Sequence, residues 1–291
     1  MLLAPPSLKK GDKVILLSTA RKMNSTLVED TVNRLNSWGL EVLLGESTDA
    51  IHNQFAGDDS LRLRDFQKAI NNPEIKAIFC GRGGYGTVRI IDKLDFSAFL
   101  KNPKWIIGFS DVTYLHSLLN NQLYVQSLHA AMPSTYATTD TEAINAIRKV
   151  LFGEHFDYPI ISNPNNRKGT MEGTVIGGNL SILYSITGTR SGFDTSGKIL
   201  FIEDLDEYLY HIDRMLINLK RSGKLDKLAG LFVGGMSDLK DHDIPFGQTV
   251  EEMVLEHCAG STFPIMFDFP AGHITENWPI VFGKKISFSI T

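Results

Sequence analysis

The chain of 291 residues has little cysteine: Cys80 and Cys258 are the only two. They lie far apart and are too few for a disulfide framework or a thiolate zinc cage, so both are expected reduced and buried as small hydrophobes. No apolar run approaches the roughly 20 residues needed to span a bilayer. Charge of one sign is also missing, with 29 Lys and Arg against 33 Asp and Glu, a net of −4. That balance leaves no basic footprint for nucleic acid or for an anionic membrane. His-x-His and HExxH spacings are absent, so neither a metal nor another cofactor is expected. The opening segment Met1 to Lys13 lacks the charged-then-apolar order of a secretory signal, and a cytoplasmic location is the expectation.

What is present suits an ordinary core, with 43% apolar and 21% charged residues. The first part alternates strand and helix patterns. Lys13 to Ser18 reads as a strand, and Thr26 to Trp38 as a helix closed by Gly39. Leu40 to Leu44 follows as a strand, then a helix from Ser60 (its N-cap) to Ile70, then a strand at Ile75 to Cys80. A glycine-rich loop at Gly81 to Gly86 precedes a helix from Thr87 to Leu94, and Trp105 to Phe109 is the fourth strand. Strands separated by single helices imply an α/β, doubly wound parallel sheet, whose ligands bind beyond the carboxyl ends of the strands. Residues 1–135 are expected to form this domain, and residues 136–168, with a helix at Glu142 to Leu151, a linker. Residues 169–291 are expected to form a second, β-rich α/β domain that includes a strand at Ile280 to Phe282.

Four places carry candidate chemistry. Ser110 stands at the junction of the fourth strand with a helix beginning near Val112, where a hydroxyl is lifted clear of the sheet at the positive end of a helix. Gly108 supplies half of a G-x-S-x-G elbow, but Val112 replaces the second glycine, and Ser110-Asp111 is equally a simple helix cap. Gly81, Gly83 and Gly86 match G-x-G-x-x-G, but after the third strand rather than the first. Three readings stay open there: a nucleotide site, a bare turn, or a backbone N–H completing an oxyanion hole with that of Asp111.

Glu203 ends an apolar strand and is followed by Asp204, Asp206 and Glu207, which as a group also describe a solvated loop. His273 follows the small residues Ala271 and Gly272. His242 sits in a polar, solvated stretch, and Cys80 is a rival nucleophile at a strand end. If the second domain places Glu203 and His273 over the Ser110 turn, the three form a proton relay in nucleophile–acid–base order.

These residues resemble the LD-carboxypeptidase family of serine peptidases, which includes murein tetrapeptide carboxypeptidases and microcin C self-immunity hydrolases. The resemblance runs from Pro5-Pro6-Ser7-Leu8-Lys9-Lys10-Gly11-Asp12 through Arg82-Gly83-Gly84-Tyr85-Gly86 and Gly108-Phe109-Ser110-Asp111-Val112-Thr113. It continues at Gly177-Gly178-Asn179-Leu180 and Ile202-Glu203-Asp204, and closes at Gly272-His273 and Asn277-Trp278-Pro279-Ile280. It implies a flavodoxin-like or amidotransferase-like N-terminal domain and a swivelling C-terminal β/α domain. It also implies a Ser110–Glu203–His273 triad and an oxyanion hole from Asp111 and Gly84. The implied activity is metal-free release of terminal D-alanine from L,D-linked murein tetrapeptides in the cytoplasm, often by a homodimer.

Arg82 is the expected cation for the terminal carboxylate of that murein peptide. One departure is local: where the family often has a Pro-Ser-Gly-like turn, this chain has Ser18-Thr19-Ala20-Arg21. Two other functions are weighed beside the first. One is hydrolysis of an acyl-sulfamoyl or acyl-phosphoramide nucleotide, which needs an aromatic platform for the base; Trp38, Trp105 and Trp278 are the only tryptophans. The other is a non-catalytic nucleotide- or sugar-binding module built on the glycine loop.

Overall fold

The computed structural model describes residues 2–291. Lys13–Leu17 forms β1, Ser25–Ser37 α1, Glu41–Leu44 β2, Asp59–Asn71 α2 and Ile75–Cys80 β3. Val88–Ile91 (α3) and Ser97–Lys101 (α4) are short helices, followed by β4 (Trp105–Gly108), α5 (Thr113–Asn121), β5 (Ser127–His129) and α6 (Thr141–Leu151). The later part holds β6 (Gly169–Asn179), α7 (Leu180–Ile186), β7 (Lys198–Leu205), α8 (Leu209–Arg221) and β8 (Gly230–Ser237). It ends with α9 (Val250–His257), β9 (Ile265–Met266), β10 (Ile280–Phe282) and β11 (Lys285–Ile290).

Two sheets result, and both are parallel except at one edge. The first runs β10-β5-β4-β3-β1-β2 and the second β11-β6-β7-β8-β9. β10 pairs antiparallel with β5, and β11 antiparallel with β6. The expected strand at Ile280 to Phe282 therefore forms, but it joins the first sheet rather than the second domain's own. Its partner β5 is only three residues long, too short for periodicity to mark in the sequence.

Local chemistry explains the helix ends. The Asn24 side chain accepts the Leu27 N–H at 2.8 Å and starts α1, and Gly39 (φ +85°) lets the chain turn after it. α2 is capped by Asp58, not by the expected Ser60: the Asp58 carboxylate takes the Leu61 N–H at 2.7 Å and also binds the Ser60 hydroxyl. An ionised cap out-competes a hydroxyl for the orphan N–H groups. The helix expected from Thr87 to Leu94 is a single turn, Val88–Ile91, with the Thr87 N–H at its start donated to the Asp111 carboxylate.

Part of the expected linker is packed. α6 buries Ile144, Ile147 and Leu151 in one cluster with Val14, Leu35, Trp38 and Trp105 of the first sheet and its helices. Each such side chain contributes about 1.5–3 kcal/mol of burial. The seam between the two sheets is equally apolar. Leu115 and Leu119 of α5 share a buried cluster with Ile176, Leu180 and Leu183 of β6 and α7. At its end Gly178 lies flush on Thr113, where a methyl group would sit 2.4 Å from the Thr113 hydroxyl, and the Asn179 N–H donates to that hydroxyl at 3.1 Å. The carboxyl ends of β6 and β7 are thereby set beside the turn that carries Ser110. Among the described residues, no helix is long and apolar enough to cross a membrane.

Candidate active site

Ser110 follows β4 through an extended Phe109 and adopts φ +59° before a short 3₁₀ turn, Ser110–Val112, that runs into α5. A serine in the left-handed region costs on the order of 1–2 kcal/mol, and only a well-packed surround maintains it. Gly108 makes that surround possible, since a methyl group there would lie 2.8 Å from Val112 and 3.2 Å from Cys80. The tight turn that the absent second glycine left in doubt is therefore present, with Val112 at that place.

Asp111 does two things. Its N–H belongs to the first turn, where helical N–H groups lack intrahelical partners. Its side chain is buried, and the carboxylate accepts the Thr87 N–H at 2.8 Å. This bond pins the end of the glycine loop beside Ser110. Burial pushes the Asp111 carboxyl pKa up, against the opposing pull of hydrogen bonds from Thr87 and Gly86. The loop backbone comes close to the hydroxyl: a methyl group at Gly83 would lie 3.1 Å from Ser110 Cβ and 3.2 Å from its Oγ. Gly84 needs φ +101°, and a methyl group there would meet the Arg21 side chain at 2.6 Å. Arg82 donates from Nη1 to the Lys22 carbonyl at 3.2 Å.

The other wall comes from the second sheet. Glu203, fully buried in β7, accepts from His273 Nδ1 at 2.6 Å and from the His273 backbone N–H at 3.2 Å. The Gly-His order has a steric cause: Gly272 has φ +113°, and a methyl group there would lie 2.8 Å from Glu203 Cβ. Asn277, also buried, accepts the Gly272 N–H at 2.9 Å, and the Ser237 hydroxyl donates to the His273 carbonyl at 2.8 Å. The imidazole is thus fixed on both sides of its own residue. With Nδ1–H given to the carboxylate, Nε2 is left as the basic nitrogen. Burial opposes charge on His273, but the Glu203 carboxylate, its hydrogen bond and Asp204 outweigh it and raise the pKa.

Asp204 accepts from Asn179 Nδ2, Leu205 N–H and Ser181 N–H, each at 2.9 Å. Burial first, and Glu203 second, push it up to about 7. Ser110, His273, Arg82, Gly84, Asp204 and Glu207 all line one cavity of about 620 Å³. Its mouth lies at the carboxyl ends of β4 and β7. The Phe109 and His273 rings are 4.6 Å apart between centroids, so the histidine stands over the residue before Ser110. The Ser110 hydroxyl and the imidazole share this cavity without a hydrogen bond between them.

The rival groups fall elsewhere. Cys80 is buried, and burial pushes its thiol up to about 12. Cys258 is buried beside Arg167 at the end of α9. His242 is exposed, as expected of its polar stretch, and stacks on Tyr208 at 4.6 Å. Among the described residues no group of His, Cys, Asp and Glu is arranged to hold a metal ion. Sequence reasoning missed Arg21, which lines the cavity, and Asn277, which ties down the His273 loop. The unusual turn after β1 was the available signal for Arg21; Asn277 gave none beyond lying in a quoted motif.

Comparison with known proteins shows the family and the fold. Residues 13–130 match the LD-carboxypeptidase N-terminal domain, and residues 172–288 the LD-carboxypeptidase C-terminal domain. A relative from Bacillus subtilis (strain 168), named "Probable murein peptide carboxypeptidase", is 34% identical over 290 residues, covering 98% of this chain and 91% of its own. The crystal structure of muramoyltetrapeptide carboxypeptidase from Oxalobacter formigenes superimposes with a TM-score of 0.84 at 27% identity, over 96% of this chain and 95% of that one. The microcin C7 self immunity protein MccF, solved in complex with aspartyl sulfamoyl adenosine, shares the fold with a TM-score of 0.85 at 22% identity, over 99% of this chain and 96% of that one.

Proposed function

The chain belongs to the LD-carboxypeptidase family, and we propose that it is a serine peptidase that releases terminal D-alanine from L,D-linked murein tetrapeptides. The observation that carries this reading is the 2.6 Å His273–Glu203 bond in the same cavity as a Ser110 strained to φ +59°. His273 Nε2 takes the proton as Ser110 Oγ attacks the amide carbonyl between the diamino acid and D-alanine. Glu203 holds the tautomer and stabilises the imidazolium. The oxyanion is met by the N–H groups of Asp111 and Gly84. The imidazolium then gives its proton to the departing amine of D-alanine, and water, activated by the same imidazole, hydrolyses the acyl-serine. Substrate draws the hydroxyl and imidazole into hydrogen-bond range, as is common when catalytic bonds are loose in the free enzyme. A cytoplasmic homodimer in peptidoglycan recycling completes the reading, and light scattering on the purified protein tests the dimer.

The test is D-alanine release from an L,D-linked tetrapeptide beside a D,D-linked pentapeptide. Release from the first alone is expected; release from neither overturns the reading. One observation favours a second activity, hydrolysis of an acyl-nucleotide amide. Tyr208, Tyr210 and His242 cluster next to Glu207, with His242 nearly parallel to both tyrosines at 18° and 17°. Such a surface can stack a nucleobase. The tryptophans do not supply it, because Trp38 and Trp105 are buried and Trp278 stacks on Phe156. Incubation with an aspartyl sulfamoyl nucleoside decides between them.

A further inference from the structure

The unusual turn after β1 places a cation in the active-site cavity. Arg21 lines it, and the Cγ, Cδ and Nε of its side chain lie within 3.0 Å of where a methyl group on Gly84 would be. Its backbone is tied to the same loop, since the Arg21 N–H points to the Gly83 carbonyl at 3.4 Å. The stem of Arg21 therefore rests on the peptide assigned to the oxyanion hole, one residue from the backbone that touches Ser110.

The charges around the cavity are not equally committed. Asp206 is paired with Lys240 at 2.6 Å and Glu207 with His211 at 2.6 Å, and Asp204 is buried under three hydrogen bonds. Arg21 and Arg82, by contrast, have no carboxylate partner among the described residues. The uncommitted charge in the cavity is thus a pair of guanidiniums from the first domain. In a substrate cut one residue from its C-terminus, the carboxylate lies about 4 Å beyond the scissile carbonyl. Its receptor must abut the oxyanion amides, and Arg21 does so.

We propose that Arg21, with Arg82 beside it, receives the substrate's terminal carboxylate and makes this site select for chain ends. This rests on the reading of the protein as a D-alanine-releasing peptidase. A guanidinium suits the task because it can grip both carboxylate oxygens.

The experiment compares an L,D-linked tetrapeptide bearing a free terminal carboxylate with its C-terminal amide. In the wild-type protein amidation is expected to lower kcat/KM by about 10–100-fold, the worth of a charge-assisted hydrogen bond. In Arg21→Ala the two substrates are expected to converge to within about threefold, with the loss on the free acid carried mainly by KM. Arg21→Lys restores part of the preference. A ratio in Arg21→Ala equal to that of wild type overturns the assignment. The same two peptides are titrated calorimetrically into Ser110→Ala and into Ser110→Ala/Arg21→Ala. Loss of acid preference in the double variant supports the assignment without turnover, and absence of any preference in Ser110→Ala overturns it. Failure of the wild-type protein to release D-alanine from the free acid or D-alaninamide from the amide rejects the peptidase reading instead, and the calorimetric ratio still judges Arg21.

Discussion

The two walls of the cavity are held by different physics. On the Ser110 side the devices are conformational: a serine at φ +59°, Gly84 at φ +101°, and a Gly83 backbone against the hydroxyl. On the His273 side they are electrostatic: a fully buried Glu203, Asp204 pushed up to about 7, and an imidazole pulled toward its charged form. Damage to the first wall should therefore act through shape and be insensitive to pH. Damage to the second should act through protonation. The contrast also assigns the labour, since an attacking group needs placement while a base needs a tuned proton affinity.

The largest effect that tests this contrast is Ser110→Ala. Loss of D-alanine release by about 10⁴–10⁶-fold is expected, with circular dichroism and melting temperature nearly unchanged, because alanine meets the same left-handed backbone cost as serine. Unchanged release would remove Ser110 as the nucleophile. Glu203→Gln comes next, at about 10³–10⁴-fold in kcat. The amide keeps the volume but can present its NH₂ to Nδ1 and impose the wrong tautomer. A drop confined to KM would mean that Glu203 serves binding rather than the imidazole.

The pH dependence separates the walls directly. The base must be neutral, so activity falls as pH drops through the His273 pKa. That pKa is raised above 6.5, and the acid limb should lie above 6.5 as well. The sign for stability is opposite: the His273–Glu203 pair contributes fully below the unfolded value and is lost as pH rises through the folded one. The enzyme should gain activity over the same interval in which this pair ceases to stabilise it. In Glu203→Gln, burial is left to act with little opposition, so the imidazole NMR midpoint should fall below its ordinary 6.5. A midpoint unmoved by that substitution would show that Glu203 does not set the base.

Legibility in the sequence followed the same division. The alternating strands and helices of the first domain were readable because each element carries its own periodicity and caps. Gly108-Phe109-Ser110 was readable because a strand-to-helix turn is a local event. The pairing of Glu203 with His273 was not, since it joins residues 70 positions apart through a buried bond. Their order along the chain suggested a relay only on the assumption that the second domain places both over the Ser110 turn, and the family resemblance implied the same. The strand β10 was expected, but its place in the first sheet escaped for a related reason: its partner β5 is only three residues long, and no local pattern encodes such a pairing. The bond of the Asp111 carboxylate to Thr87 was not legible either, since it joins residues 24 positions apart. Arg21 was visible as an oddity of the β1 turn, but its direction toward the cavity required the fold.

A smaller effect probes the conformational wall by itself. Gly83 does not need a positive φ, so Gly83→Ala tests close approach alone. The new methyl group would stand 3.1 Å from both Ser110 Cβ and the Met132 methyl, contacts that require a shift of a few tenths of an ångström. A fall in kcat of about 10–100-fold is expected, with the acid limb of the pH profile unmoved. If that limb shifted with the rate, the two walls would be coupled and the division between shape and charge would fail.

The smallest expected effect lies just behind the same wall, at Cys80. Its thiol sits at the end of β3, within a methyl group's reach of Gly108, and burial with Asp111 nearby pushes it up to about 12. At pH 8 only about one molecule in 10⁴ would carry the reactive thiolate. Iodoacetamide should therefore leave D-alanine release intact over hours. Cys80→Ala should keep full activity at a cost of about 1 kcal/mol in stability, as expected for one small atom removed from a packed core. Rapid alkylation with parallel loss of activity would break the comparison at its base. The conformational wall would then hold an ionisable nucleophile of its own, and Ser110 would have a competitor that the strained turn had only concealed.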